Sequence, residues 1–158
     1  MIRGVRREEI PVCAQVVRTS FATVAKEMGL NEENCSRHTS FTPDEEFFVR
    51  FDSGWLMYCM EENGEIVGYF SLMKNQRKEF EINNLSVLQQ YRNSGRGEAL
   101  FMYALDEARK VGERELYISI IEENKRLRKW YEKLGCVHIC TKKFEHLPFT
   151  TGYMKALL

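Results

Sequence analysis

A ten-residue segment near the middle of the chain combines glycine and arginine in a way that suits phosphate binding. Residues 89–98 read Gln-Gln-Tyr-Arg-Asn-Ser-Gly-Arg-Gly-Glu, with Gly95 and Gly97 separated by one residue. Glycine lets a ligand come close to the backbone, and the helix predicted to follow begins with amides that have no partner inside the helix. Because these amides lie at the positive end of the helix dipole, a pyrophosphate could accept several hydrogen bonds there without a metal ion.

Two glycines would also be expected in a loop that only connects a strand to a helix. Parts of the pattern are also found in two kinds of nucleotide-binding loop. A Walker A loop would place Lys and then Ser or Thr after the second glycine, where Glu98 and Ala99 stand, which argues against an NTPase. A dinucleotide-binding fingerprint would need Gly or Ala at Leu100, although Glu122 and Glu123 after the next strand could bind a ribose. A dinucleotide-dependent oxidoreductase therefore remains the weaker alternative.

The elements that must position this segment follow the order of an α/β domain with a mixed sheet. Apolar periodicity predicts strands at residues 2–6, 55–60, 66–73, 78–87, 115–121, 137–144 and 151–157. It predicts helices at residues 8–28, after residue 42, at 99–111 and at 124–134. The strand, helix and strand from residue 78 to residue 121 require a parallel right-handed crossover, whereas the earlier strands form an antiparallel hairpin.

Three local signals mark where elements begin or turn. Asn63-Gly64 is the dipeptide of a type I′ hairpin turn, with two residues of positive φ. Gly29 is a natural helix end. Thr42 precedes Pro43 and Asp44, and its hydroxyl is expected to cap the short helix that follows.

Length and composition fit one globular domain over residues 1–158. The chain is 44% hydrophobic, and its 23 Lys and Arg balance 23 Asp and Glu, so no net charge attracts nucleic acid or anionic lipid. The longest apolar run, residues 55–60, is too short to span a bilayer, and the first residues lack the apolar core of a signal peptide. Five cysteines without a CxxC pair indicate buried thiols. We therefore expect a cytoplasmic protein with no membrane partner.

The arrangement of Arg92, Gly95 and Gly97 as Arg-x-x-Gly-x-Gly is followed, in the last predicted helix, by Asn124 and, seven residues later, by Tyr131. In residue type, spacing and order these two motifs resemble those of the GNAT superfamily of N-acyltransferases. The resemblance implies a single GNAT domain, a sheet of about seven strands splayed in its middle, and about four helices on its two faces. It also implies acetyl-CoA as co-substrate and no metal.

The resemblance further implies which residues bind the donor. The strands at 80–87 and 115–121 would separate, leaving backbone groups of the first strand unpaired, and the pantetheine arm of the donor would pass between them. The implied contacts are the backbone of Leu85, Ser86 and Val87, the amides of Arg92, Asn93, Ser94, Gly95, Arg96, Gly97 and Glu98 at the pyrophosphate, and the side chains of Asn124 and Tyr131.

Two side chains are implied as catalytic in direct attack of a primary amine through a tetrahedral intermediate. An amine with a pKa near 10.4 is uncharged in only about one molecule in 2500 at pH 7, so a base or a water chain is needed. Glu81, eleven residues before Arg92, matches the base of the family's histone acetyltransferases. Tyr131 is the implied acid for the departing thiolate, and the amide of Val87 is the implied oxyanion donor. The alternatives are that Glu81 is a solvated strand residue and Tyr131 a core residue.

Two positions depart from the family pattern, namely Leu127 in the last helix and Cys136 after its closing glycine. Cys136, His138 and Cys140 alternate along one strand, which offers at most a strained partial metal site, so no metal is expected.

The acceptor is open between small-molecule and protein amines, and the protein could be a monomer or a homodimer. The family implies an acceptor site at residues 29–54 and 144–153, which includes His146. Acidic residues there could favour a cationic amine, although the helix dipole also explains them: they are Asp44, Glu45, Glu46 and Asp52. A regulatory domain that binds CoA without transfer is the alternative from a different functional class.

Overall fold

One seven-stranded sheet, with helices on both faces, forms the framework of the molecule. The computed structural model describes all residues, Met1–Leu158. The strands are β1 (Ile2–Gly4), β2 (Leu56–Glu62), β3 (Glu65–Lys74), β4 (Phe80–Val87), β5 (Glu115–Ile121), β6 (Val137–Lys143) and β7 (Thr150–Leu157). The α-helices are α1 (Ile10–Met28), α2 (Asp44–Asp52), α3 (Arg96–Lys110) and α4 (Lys125–Lys133). None of these helices is both long enough and apolar enough to cross a membrane.

The sheet is mixed, as the sequence predicts. Its strand order is β1-β2-β3-β4-β5-β7-β6, and β4 and β5 form the one parallel pair. The parallel pair arises because α3 returns the chain across the sheet between these strands. The predicted α/β fold with seven strands and four helices is therefore confirmed.

Apolar side chains form a core on each face of the sheet. One core joins β4 and β5 to α3 and α4 and contains Ile82, Phe101 and Tyr131. The other joins β2 and β3 to α1 and α2 and contains Val17 and Phe47. The β4–β5 region is thus covered by α3 and α4 on one face, and α1 lies on the opposite face.

The two central strands touch at one end and then separate. Glu81 and Tyr117 are their one pair in register, whereas β5 is paired with β7 along its whole length. On β4, Asn84 and Leu85 together oppose a single residue of β3, which is a β-bulge, and Asn84 has a φ of 56°. A bulge bends its strand and disturbs the ladder. The predicted splay is therefore present and opens toward the carboxyl ends of β4 and β5.

The predicted turn signals are mostly confirmed. Asn63 and Gly64, with φ of 51° and 79°, join β2 to β3, and Gly29, with φ of 66°, ends α1. The expectation for Thr42 is wrong, because α2 begins at Asp44 with Pro43 in the cap position and no side-chain cap. The carbonyl of Thr42 instead accepts a hydrogen bond from Arg18 at 3.0 Å, so a tertiary contact with α1 holds the start of α2.

Helix α3 begins earlier than predicted. It starts at Arg96, and Gly95 takes the cap position with a φ of 81°. Apolar periodicity missed this first turn because Arg96, Gly97 and Glu98 are not apolar and carry no helical stripe. These three residues belong to the helix, so their amides point along its axis toward the splay.

Candidate active site

A cavity of about 600 Å³ lies where the central strands separate. Its walls come from α1, the end of β4, the turn before α3, β5 and α4. It brings together most of the residues that the sequence implicates in donor binding, namely Leu85, Ser86, Val87, Arg92, Asn93, Gly95, Gly97, Glu98, Asn124 and Tyr131. Ser94, Arg96 and Glu81 are not part of its lining.

The turn before α3 presents backbone amides without partners. The amides from Asn93 to Glu98 donate no hydrogen bond within the chain, and the first amide to do so is that of Ala99, to the Gly95 carbonyl at 2.9 Å. The positive φ values of Asn93 (58°) and Gly95 (81°) produce this exposed bend. Together with the helix dipole, the unpaired amides form a local site for an anion in a chain without net charge.

The structure corrects the interpretation of Arg92. Its amide donates to the Gln89 carbonyl at 3.2 Å and is not available to a phosphate. Its guanidinium is half-buried and donates to the carbonyls of Val87 and Ser20 and to the hydroxyl of Thr23, each at 2.9 Å. Burial lowers the pKa of Arg92. Arg92 therefore joins β4 to α1, and the Val87 carbonyl, predicted to be unpaired, is occupied.

The neighbouring Arg96 and Ser94 also turn their side chains away from the cavity. Arg96 donates two hydrogen bonds to Glu62 on β2, at 2.7 and 2.8 Å. The Ser94 hydroxyl donates to the Tyr91 carbonyl at 2.7 Å. These residues can therefore offer a ligand their backbone amides, whereas their side chains stabilise the turn.

Tyr131 lies in the wall formed by α4. The residue is 5% exposed, and its ring packs edge-on against Phe101 and Trp130, with centroids 5.5 and 4.9 Å away. Its hydroxyl makes no hydrogen bond within the chain. Burial raises the pKa of Tyr131 above its ordinary value, and the Cys136 thiol raises it further, so the phenol stays protonated at neutral pH.

Asn124 holds the start of α4 beside the cavity. Its Oδ1 accepts a hydrogen bond from the Leu127 amide at 3.2 Å, which is the predicted N-cap. The cap leaves the Asn124 Nδ2 group without a partner in the chain. Asn124 can therefore cap the helix and contact a ligand at the same time.

The structure does not bring Glu81 together with Tyr131. The side chains of Phe80 and Ile82, on either side of Glu81, pack in the core with α3 and α4, so Glu81 faces the α1 side of the sheet. Its carboxylate accepts hydrogen bonds from Asn75 at 3.1 Å and from Asn83 at 3.2 Å. The two residues implied as base and acid thus lie on opposite faces of the sheet.

Sequence reasoning missed the wall that α1 contributes. This wall consists of Ser20, Phe21, Thr23, Val24 and Glu27. The helix crosses the opening, because Val17 packs with β2 and β3 whereas Ala25 packs against Ile121 at the end of β5. The available signal was the i, i+3, i+7 spacing of the polar residues 20, 23 and 27, which places them along one side of the helix.

The residues that could have bound a ribose are engaged elsewhere. The carboxylate of Glu122 binds His138 at 2.9 Å and Arg128 at 2.7 Å, and that of Glu123 accepts from the Thr150 amide at 2.9 Å. Neither residue lines the cavity. This arrangement removes the support that these carboxylates gave to a dinucleotide site.

His138, which contacts Glu122, is one of the three residues whose alternation could suggest a partial metal site, together with Cys136 and Cys140. A bulge lies between His138 and Cys140, which interrupts the alternation along the strand. Cys136 is buried and Cys140 is exposed. No group of three or more His, Cys, Asp or Glu side chains in the chain is arranged to hold a metal ion.

Gly152 on β7 makes room for the Glu122 carboxylate, and this contact supports a stability prediction. A Cβ atom at Gly152 would overlap Glu122 Oε2 and lie 3.0 Å from Ile120 Cγ1. Glu122 can move aside only by giving up its hydrogen bonds to His138 and Arg128. Gly152→Ala is expected to lower the free energy of unfolding by about 2–4 kcal/mol, measured by urea denaturation.

Gly4→Ala is the matched control for this prediction, because Gly4 is also in a strand and its Cβ would meet nothing within 4 Å. It is expected to change the free energy of unfolding by less than about 0.5 kcal/mol. Equal effects of the two substitutions would contradict the prediction.

The acidic residues near the predicted acceptor site are mostly neutralised. Asp44 binds Arg18 at 2.7 Å, Glu46 binds Arg50 at 2.7 Å, and Asp52 binds Arg7 at 3.0 Å. Glu45 is exposed. Three of the four acidic side chains considered for this region are therefore paired with an arginine.

The chain is similar in sequence to known acetyltransferases. The model of the acetyltransferase (GNAT) family matches residues 23–136. The uncharacterized N-acetyltransferase YjgM of Escherichia coli (strain K12) is 24% identical over 155 residues, which are 96% of this chain and 86% of that protein.

Two solved structures share the fold over the whole chain. The PaiA N-acetyltransferase of Thermoplasma acidophilum, in complex with coenzyme A, has a TM-score of 0.80 at 18% identity and covers 100% of this chain and 98% of its own. The ribosomal-protein-alanine N-acetyltransferase of Brucella melitensis has a TM-score of 0.73 at 18% identity and covers 100% of this chain and 99% of its own.

Proposed function

The chain belongs to the acetyltransferase (GNAT) family, and we propose that it transfers the acetyl group of acetyl-CoA to a primary amine by direct attack, with Tyr131 as the proton donor. The family match covers most of the chain, and the same fold appears in a structure that contains coenzyme A. Activity as an acetyl-CoA-dependent N-acetyltransferase follows from the family.

One observation supports the proposal most directly. The parallel strands β4 and β5 separate next to the turn before α3, and the backbone amides of that turn have no partners. The pyrophosphate of the donor would accept hydrogen bonds from the amides between Asn93 and Glu98. From there the pantetheine arm would run along the end of β4, past Leu85, Ser86 and Val87, toward Tyr131. The cavity is continuous over this path, and its walls include both ends.

The attacking amine and the departing thiolate would lie on opposite faces of the sheet. The amine would enter from the α1 and α2 side, and its nitrogen would form the C–N bond to the thioester carbon. A backbone amide of β4, of which Val87 is our candidate, would stabilise the oxyanion. When the C–S bond breaks, the Tyr131 hydroxyl would give its proton to the departing sulfur from the α4 side. The amine proton would leave on the α1 side, where Glu81 lies.

Glu81 would accept that proton through an intervening water, because it does not line the cavity itself. Glu81→Gln is expected to lower kcat/KM for the amine by about 10- to 100-fold at pH 7, with little change in the affinity for acetyl-CoA. The difference in kcat/KM between Glu81→Gln and the unmodified protein should shrink as the pH approaches the pKa of the free amine, since less base catalysis is then needed. Steady-state rates between pH 6 and pH 10 measure both effects.

Glu79→Gln is the matched control for Glu81. Glu79 lies two residues earlier on the same face, and its carboxylate also accepts a hydrogen bond from Asn75, at 3.0 Å. A structural role in holding Asn75 would be disturbed by both substitutions, whereas a base role belongs to Glu81 alone. Equal rate losses for Glu79→Gln and Glu81→Gln would remove the base assignment.

The proposed activity is tested by binding and by turnover on the same preparation. Acetyl-CoA should raise the melting temperature, and NADH and ATP should not, because only a ligand that binds the native state stabilises it. Thiol release from acetyl-CoA would then be followed with polyamines, aminoglycosides, amino acids and peptides with a free N-terminus. Binding of acetyl-CoA without acetylation of any amine would favour a regulatory CoA-binding domain, and binding of NADH alone would favour an oxidoreductase.

A further inference from the structure

Ser20 carries a buried hydroxyl without a partner in the wall of the cavity. The residue is 3% exposed, and its Oγ atom forms no hydrogen bond. The one other buried side-chain atom in this condition, the Tyr69 hydroxyl, belongs to a residue that does not line the cavity. A buried hydroxyl without a partner is unfavourable and therefore rare in folded proteins. Its position in a ligand-sized cavity calls for a functional role.

The neighbours of Ser20 place it opposite the end of β4. The guanidinium of Arg92 donates to the Ser20 carbonyl and, through a different nitrogen, to the Val87 carbonyl, both at 2.9 Å. One planar group therefore spans the distance between α1 and β4 at this point. A chain that runs along the end of β4 would therefore pass close to the part of α1 that carries Ser20.

Of the hydroxyls that α1 contributes to the cavity, that of Ser20 is the one left free. The Thr23 hydroxyl donates to the Ser20 carbonyl at 2.8 Å and accepts from Arg92 at 2.9 Å. Thr23 is thus already satisfied within the protein. Ser20 can both donate and accept, because neither capacity of its hydroxyl is in use.

The part of the donor that would pass this point is its amide-containing arm. If the pyrophosphate lies at the amides of Asn93 to Glu98 and the thioester lies between Val87 and Tyr131, then the amide of the arm nearest the thioester lies beside Ser20. A secondary amide has one N–H and one carbonyl, and a hydroxyl can pair with either.

We propose that the Ser20 hydroxyl forms a hydrogen bond with an amide of the pantetheine arm and is a donor-recognition residue of this enzyme. The inference rests on the proposed function, since it takes acetyl-CoA to be the donor. It adds a contact from α1, on the side of the arm opposite β4. The arm would then be held on both sides where it crosses the sheet.

The experiment compares Ser20→Ala with the unmodified protein for three ligands. Acetyl-CoA contains the arm and the nucleotide, S-acetylpantetheine contains the arm alone, and adenosine 3′,5′-bisphosphate contains no arm. The dissociation constants of the two arm-containing ligands should rise about three- to tenfold, which is the usual effect of losing one hydrogen bond. The dissociation constant of the bisphosphate should not change.

Stability should move in the opposite direction from binding. Alanine favours the helix more than serine does, and the substitution removes a buried polar atom without a partner. Without ligand, the melting temperature of Ser20→Ala should therefore rise by about 2–5 °C. A residue that merely supported the structure would lower stability and binding together.

Thr19→Ala is the control on the same helix, because Thr19 is exposed and its hydroxyl contacts Gln15, at 3.1 Å. It should leave all three dissociation constants unchanged. Equal affinities of Ser20→Ala and the unmodified protein for both arm-containing ligands would overturn the inference, as would weaker binding of the bisphosphate. A change confined to the KM of the amine would overturn it too, because the hydroxyl would then contact the acceptor instead.

The failure of this inference can be distinguished from the failure of the proposed function. If the unmodified protein binds and uses acetyl-CoA but Ser20→Ala behaves identically, then the inference alone is wrong. If the unmodified protein does not bind acetyl-CoA, then the proposed function fails and the inference fails with it.

Discussion

Replacing Tyr131 with phenylalanine is expected to lower kcat by about 10²- to 10⁴-fold while the affinity for acetyl-CoA stays nearly unchanged. The substitution removes a single oxygen, and the ring can keep its edge-on contacts with Phe101 and Trp130. Because the hydroxyl makes no hydrogen bond within the chain, its loss leaves no partner unsatisfied. Acetylation rates at saturating donor and the dissociation constant of acetyl-CoA give the two quantities separately.

The pH dependence offers a second measurement of the same role. Burial raises the pKa of Tyr131, so the protonated form that acts as an acid persists to higher pH than an ordinary phenol would allow. The rate of the unmodified enzyme should therefore show no alkaline decline due to Tyr131 below about pH 10. A decline near neutral pH that disappears in Tyr131→Phe would contradict this assignment of the protonation state.

Tyr69→Phe is the matched control for Tyr131→Phe. Tyr69 is 1% exposed and its hydroxyl also has no partner, but it lies in the core between the sheet and α1, outside the cavity. Both substitutions remove one phenolic oxygen without a partner from a buried residue and should leave the protein folded. Similar kcat values for the two variants would mean that Tyr131 is an ordinary core residue.

The strand, turn and helix around Gly95 could be predicted from the sequence because each part has a local cause. An apolar strand, a glycine that adopts positive φ and a helix with an apolar stripe are all determined within about thirty residues. The separation of β4 from β5 was expected from the family resemblance and is present. Its physical cause, a bulge at Asn84 with positive φ, was not visible, because an asparagine in a strand pattern does not by itself indicate a bulge.

The role of Arg92 could not be predicted because it depends on a helix more than sixty residues earlier in the chain. Sequence proximity to two glycines suggested a phosphate contact, whereas the folded chain brings Ser20 and Thr23 within reach of the guanidinium. The apolar pattern of α1 predicts that it is buried on one side, but not that it crosses an opening in the sheet. Long-range packing decides this, and with it the composition of the cavity.

The positions of Glu81 and Tyr131 also depend on long-range packing that the local sequence does not reveal. Alternation along β4 separates Glu81 from Phe80 and Ile82, and this could be predicted. Which of the two faces carries α4, and hence Tyr131, depends on how the chain crosses the sheet after β5. The structure places the two residues on opposite faces, so an acceptor and a departing thiolate can use different sides of the same opening.

Replacing Gly97 with leucine is expected to weaken acetyl-CoA binding about 100-fold or more. The Cβ direction at Gly97 points toward Trp130, whose Cζ2 atom would lie 3.4 Å away, so a branched side chain would have to extend into the cavity. It would there obstruct the amides of the first turn of α3. Loss of two hydrogen bonds to a charged pyrophosphate, each worth about 1.5–3 kcal/mol, accounts for an effect of this size.

Ala99→Leu separates this effect from a general disturbance of α3. Ala99 lies in the same turn of the helix but is exposed and does not line the cavity, so a leucine there adds similar bulk on the opposite side. Calorimetric titration with acetyl-CoA should show an unchanged dissociation constant for Ala99→Leu and a dissociation constant raised about 100-fold or more for Gly97→Leu. Retained affinity in a folded Gly97→Leu protein would mean that the pyrophosphate does not lie at this turn, and the proposed path of the donor would then be wrong from its first contact onward.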